Sequence, residues 1–136
     1  MNILSLLKYK SSVAYLYNDN TVRQGLEKMR FHGYTAIPVI SRDGKYIGTV
    51  SEGDFLWHCI DRNISDIRDE ENFIVNDIIR SGWNPPAKIS ITIEDLLLMV
   101  MDQNFVPMID DRSSFIGIIT RKDIIKQFYN KTYPKE

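Results

Sequence analysis

Two short motifs carry residue types that could grip a nucleotide. Thr120-Arg121-Lys122-Asp123 follows Gly117-Ile118-Ile119, and Ser51-Glu52-Gly53-Asp54 follows Gly48-Thr49-Val50. In each, a hydroxyl residue ends an apolar strand-like run and an Asp stands three positions later, in the first turn of an expected helix. A helix N-terminus offers unpaired N–H groups and a partial positive charge, so it accepts phosphate. Thr120 can donate a hydroxyl and Arg121 a two-pronged guanidinium. Asp123 can accept both hydroxyls of a ribose diol. The same spacing also makes a capping box, in which the Asp reaches back to the N–H of the cap. On the residues alone the cap is the stronger reading, and the two roles are compatible at Thr120.

Other chemistry finds little support. There is no Ser-His-Asp order and no Walker loop. His32 and His58 lack the spacing of metal ligands, and Cys59 is the only cysteine, which excludes an internal disulfide and a CxxC metal site. Cys59 reads as a packed thiol, and Trp57 and Trp83 as packing residues. Asp54 and Asp123 read as two copies of one role rather than as an acid and a base. No catalytic residue, no metal ligand and no required cofactor is expected.

The net charge of −1 gives no global field toward nucleic acid or membrane. Lys8-Tyr9-Lys10 and Arg121-Lys122 with Lys126 and Lys131 are modest basic clusters, and a nucleic-acid partner is not favoured. With 43% apolar and 26% charged residues, a sizeable core is expected. The apolar Ile3, Leu4, Leu6 and Leu7 are too few for a signal peptide, and no run approaches the ~20 residues of a membrane span. A cytoplasmic location follows by default.

The motifs sit in an internal repeat. Pro38 and Pro107, Gly48 and Gly117, and Asp54 and Asp123 are each 69 positions apart. Each copy reads as a short strand (Val13 to Leu16; Lys88 to Ile91) and a helix behind a threonine cap (Thr21 to His32; Thr92 to Asn104). A hairpin follows, marked in the first copy by Asp43-Gly44 between Ala36–Ile40 and Tyr46–Val50. A helix closes each copy, near Glu52 to Asp61 and Arg121 to Tyr129. The expected fold is α/β (α+β), two β-α-β-β-α repeats. Residues 1–62 form the first repeat with the N-terminal segment, 63–74 a charged solvated linker, 75–130 the second repeat and 131–136 a tail. One such unit would leave a sheet face bare, so two packed with pseudo-two-fold symmetry are expected. Leu96 to Met101 is apolar around the whole helix. The segment Ile3 to Leu7 could fold back over it, but a homodimer through helices 21–32 and 92–104 is the preferred expectation.

The pattern apolar-Pro, hairpin, Gly-apolar-apolar-[Ser/Thr]-x-x-Asp, helix resembles the CBS (cystathionine β-synthase) domain. It is present as Ala36-Ile37-Pro38-Val39 with Gly48 to Asp54, and as Phe105-Val106-Pro107-Met108 with Gly117 to Asp123. The resemblance spans about residues 10 to 130. It implies a tandem CBS pair that binds AMP, ADP, ATP, S-adenosylmethionine or cyclic di-AMP in clefts between the copies. Such a stand-alone pair regulates an unidentified partner protein and catalyses nothing. By the resemblance, the better site joins Thr120, Arg121 and Asp123 to an adenine slot of Ala14, Tyr34, Thr35, Ala36, Ile37 and Pro38. A second, weaker site would use Ser51, Asp54, Lys88, Phe105, Val106 and Pro107. There Glu52 replaces Arg121 and should repel phosphate. The two Asp residues favour a free ribose diol, hence a mononucleotide or S-adenosylmethionine. The run Gly33-Tyr34-Thr35-Ala36-Ile37-Pro38 resembles receptors of cyclic di-AMP, which is the alternative ligand. A dimeric interaction module without ligand is the remaining reading.

Overall fold

The computed structural model describes residues 2–135. Met1 and Glu136, the outermost residues of the expected N-terminal segment and tail, lie outside the described residues. In chain order the elements are α1 (Ile3–Leu6), β1 (Lys8–Tyr9), β2 (Leu16–Tyr17), α2 (Val22–His32), β3 (Ala36–Ile40), β4 (Tyr46–Ser51), α3 (Glu52–Asp61), β5 (Ala87–Lys88), α4 (Ile93–Val100), β6 (Phe105–Ile109), β7 (Phe115–Thr120) and α5 (Arg121–Thr132). Short 3-10 turns span Lys10–Ser12, Ile67–Asn72 and Val75–Ile78.

The β-α-β-β-α order is present twice, from β2 to α3 and from β5 to α5. The hairpins repeat in register: Ala36 faces Ser51 as Phe105 faces Thr120, and the register shifts after Val39 and again after Met108. The opening strands are only two residues long and pair parallel with β3 and β6. Helix α4 stops at Val100, short of the expected Asn104, where the N–H groups of Asp102 and Gln103 both close onto the Met99 carbonyl. Helix α5 runs on to Thr132, through the start of the expected tail.

Contacts divide the chain into two compact units. The contiguous one, Ala14–Trp83, carries a sheet of order β2-β3-β4. Its core gathers Leu16, Val22, Met29, Ile37, Val39, Val50, Phe55 and Val75. Helix α2 starts at a full capping box, with the Thr21 hydroxyl accepting from the Gln24 N–H and the Gln24 amide oxygen accepting from the Thr21 N–H. It ends at Gly33 in the left-handed region, φ +68°, where glycine avoids the Cβ clash.

The other unit takes the chain up to Val13 and from Asn84 onward, with sheet order β1-β7-β6-β5. This departs from the expectation that the N-terminal segment belongs with the first repeat. β1 pairs antiparallel with β7, Lys8 opposite Ile118 and Tyr9 opposite Gly117. Leu6 and Leu7 are buried with Leu96, Val100, Val106 and Ile119. The segment therefore does fold over part of α4. The pairing is possible because Gly117, at φ +154°, has no side chain: a Cβ there would lie 2.1 Å from the Lys8 carbonyl oxygen.

The linker is not simply solvated. The Val22 N–H donates to the Phe73 carbonyl at 2.8 Å, Thr21 bridges to Ile74, and Val75 is fully buried. Ile79 packs over Gly48, as the Lys8 backbone packs over Gly117. Each hairpin glycine is thus covered by a segment that the local sequence pattern does not pair with it.

Candidate functional site

The N-terminus of α5 carries the first grip. Thr120 is its N-cap, extended at φ −95° and ψ 146°, and its hydroxyl oxygen accepts from the Asp123 N–H at 3.1 Å. The cap role of Thr120 is therefore real. The Asp123 carboxylate is 31% exposed and faces Lys8, with Nζ 3.5 Å from Oδ2. Lys8, from β1, is itself more than half exposed. The result is an accessible carboxylate at a helix N-terminus with an exposed ammonium beside it, suited to a ligand bearing both hydroxyls and phosphate.

The equivalent grip at α3 is closed. Ser51 caps the helix, and Asp54 Oδ2 accepts from the Ser51 N–H at 2.8 Å and from its hydroxyl at 3.0 Å. Arg80 Nε donates to Asp54 Oδ1 at 2.6 Å, and Arg80 Nη2 lies 3.4 Å from Ser51 Oγ. The Asp54 side chain is 4% exposed. Arg80 also lies over the Trp83 ring, 4.1 Å from its centroid.

Arg121, expected as a phosphate clamp, is engaged at the end of α4. Its guanidinium donates to the Val100 carbonyl at 2.6 Å and approaches that of Met101 at 3.5 Å. It thereby satisfies orphan carbonyls at the C-terminus of α4, where a cation is favoured. Glu52 occupies the matching place in the first copy. Its N–H donates to the Thr35 carbonyl, as that of Arg121 does to Asn104, both at 2.9 Å. Its side chain lines a groove of about 630 Å³ between α2 and α3.

The expected adenine contacts are of two kinds. Ile37 and Pro38, like Val106 and Pro107 of the second copy, are buried. Tyr34 and Thr35 are exposed and Ala36 half-buried. Tyr34 stacks on His32, centroids 5.1 Å apart at 22°. Ala14 packs partly buried against the core of its unit. Lys88 is exposed on β5, and the half-buried Phe105 offers its carbonyl to the Gln103 amide at 3.4 Å.

Residues with no binding signal in the sequence proved notable. Glu70, from the charged linker, is 1% exposed, and its Oε1 lies 3.3 Å from Nε2 of His58, 6% exposed. The His58 ring meets Phe73 edge-on at 4.7 Å. Burial, and then the Glu70 carboxylate, pushes the Cys59 thiol above its ordinary pKa, which makes it a poor nucleophile. Trp57 is exposed rather than packed. Among the described residues no three His, Cys, Asp or Glu side chains gather as a metal site, and no helix is long and apolar enough to cross a membrane.

Comparison with known families is decisive for the fold. The profile of the CBS domain matches residues 9–61 and 75–130. The chain belongs to the CBS domain family. Among curated relatives, an uncharacterised protein of Methanocaldococcus jannaschii is 24% identical, over 82% of this chain and 83% of its own length. A second uncharacterised protein from that organism is 25% identical over 91% of this chain, which spans only 43% of that relative. The crystal structure of CbpB in complex with c-di-AMP superposes with a TM-score of 0.89 at 22% identity, covering 98% of this chain and 87% of the other. CBSX2 in complex with AMP gives 0.76 at 20% identity, covering 96% and 98%. The CBS fold implied by the motif resemblance is the one observed.

Proposed function

We propose that this CBS pair is a regulatory ligand sensor of the cytoplasm that binds an adenine nucleotide through Thr120, Asp123 and Lys8 and performs no reaction on it. The observation that carries the reading is the asymmetry between the two grips. Asp123 presents an accessible carboxylate at the start of a 12-residue helix, whereas Asp54 is enclosed. Two relatives of the same fold support the ligand class, CbpB by its complex with c-di-AMP and CBSX2 by its complex with AMP.

AMP, ADP, ATP or S-adenosylmethionine is the first reading, because Asp123 can accept both free ribose hydroxyls. Cyclic di-AMP is the second, favoured by the likeness to CbpB. Its 3′-oxygen is esterified, so it would engage Asp123 less. Thermal denaturation with each ligand separates them. A ligand present at about 100 times its dissociation constant adds roughly 2.7 kcal/mol. A rise with AMP that disappears in Asp123→Ala supports the mononucleotide reading. A rise with cyclic di-AMP that survives Asp123→Ala supports the second. No rise with any of these ligands removes the sensor reading.

The sensor is proposed to act as a homodimer and to pass its state to a partner protein. Each unit leaves apolar side chains uncovered on or beside its helices: Phe31, Leu56 and Ile60 in one, and Leu98, Met101 and Ile125 in the other. Sedimentation velocity is expected to show a dimer that Met101→Glu with Ile125→Glu converts to monomer without loss of helical circular dichroism. A wild-type monomer at tens of micromolar would contradict this.

A further inference from the structure

Arg80 holds the Ser51–Asp54 grip from outside. We infer that it is an internal stopper: its guanidinium occupies the place at Asp54 that a ribose diol would need, and this grip admits a nucleotide only when Arg80 withdraws. The inference rests on the nucleotide reading above and deepens it.

Each step follows from the hydrogen bonds. Asp54 Oδ2 is engaged by the backbone and hydroxyl of Ser51, and Oδ1 takes the short charge-assisted bond from Arg80. A diol needs acceptor positions on the same carboxylate, and its 4% exposure leaves no approach while Arg80 is in place. Arg80, by contrast, is 52% exposed. Withdrawal returns the guanidinium to water but would strand the buried Asp54 carboxylate, so Arg80 leaves as a diol takes its place. Its far face lies on Trp83, so the stopper rests on an aromatic ring that registers its position.

The comparison with Asp123 sharpens the point. There the neighbouring cation is a lysine at 3.5 Å, a single point charge on an exposed stem. Arg80 instead makes a directed bond of 2.6 Å and reaches toward the cap hydroxyl as well. Inequality of the grips thus arises from Arg80, in the segment between the 3-10 turn Val75–Ile78 and β5. It does not require repulsion by Glu52, a residue that lines the groove between α2 and α3.

AMP binding by isothermal titration calorimetry tests this in wild type, Arg80→Gln, and Arg80→Gln with Asp54→Ala. Wild type is expected to bind one AMP per chain and Arg80→Gln two, the added site at least tenfold tighter than any second phase in wild type. Adding Asp54→Ala should return the count to one. One AMP per chain at wild-type affinity in Arg80→Gln overturns the stopper and leaves the sensor reading intact. No binding by wild type or either variant overturns both. Should Arg80→Gln fail to fold, Trp57→Phe leaves Arg80 in place and Trp83 as the remaining tryptophan. Filling of the first grip should then leave Trp83 emission unchanged, and only a later phase should alter it. An emission change that saturates with the first AMP overturns the inference.

Discussion

His58→Leu is expected to lower the stability of the protein by about 3 kcal/mol, a fall of roughly 10 °C in melting temperature. The reason is the partner left behind. Glu70 is buried, its oxygens have no hydrogen-bond donor among the described residues, and His58 is the cation-capable group beside it. Taking away one member of a buried pair leaves an uncompensated charge, whereas replacing both with apolar groups of similar volume is often neutral or stabilising. His58→Leu with Glu70→Leu is therefore expected to recover most of the loss. Urea denaturation of the two variants beside wild type decides it. A double variant as unstable as the single one would show that the effect is lost packing against Phe73 rather than a stranded carboxylate.

Gly117→Ala is expected to detach the N-terminal strand. The added Cβ would meet the Lys8 carbonyl oxygen at 2.1 Å and its carbon at 3.0 Å. These are backbone atoms, which cannot rotate aside, and φ +154° is itself unfavourable for alanine. Release of β1 also exposes Leu6 and Leu7, each worth about 1.5–3 kcal/mol when fully buried, so a loss of about 3–6 kcal/mol is the upper range. Amide exchange should quicken at residues 3–9 and in β7, while amides of β3 and β4 keep their protection. Gly48→Ala meets the branched Cγ2 methyl of Ile79 at 2.7 Å, which moves only with the whole side chain but is not strand backbone, so it should lose less than Gly117→Ala. Gly33→Ala meets nothing within 4 Å, so it should lose only the roughly 1–2 kcal/mol of a left-handed residue. Equal losses at all three glycines would defeat the argument from close approach.

The repeat was legible because its markers are local. Pro38, Gly48 and Asp54 recur at a constant offset, and Thr21, Thr92, Ser51 and Thr120 cap helices within three residues of themselves. The hairpins followed from the same short-range patterns, to within one residue at their ends. What the sequence concealed was every partner brought from a distance. Nothing near Ile118 announces Lys8, and nothing near Asp54 announces Arg80. Glu70 lies in the run Asp66 to Glu71, whose composition reads as solvent-facing, yet it is the one carboxylate of that run that is buried. Arg121 was legible as a cation at a helix start. That it serves the end of α4 depends on the bend at Val100, which no spacing rule announces.

The N-terminal strand also sets an order of assembly. The unit Ala14–Trp83 is one uninterrupted stretch and can close on itself as soon as it has been synthesised. The other unit cannot. Its outer pairing joins Lys8 to Ile118, more than a hundred positions apart, so it has the highest contact order in the sheet and the slowest closure. Leu6 and Leu7 are made well before Leu96, Val100, Val106 and Ile119, the residues that share their core. Until those residues follow, the segment ahead of β1 is an apolar tether without a partner.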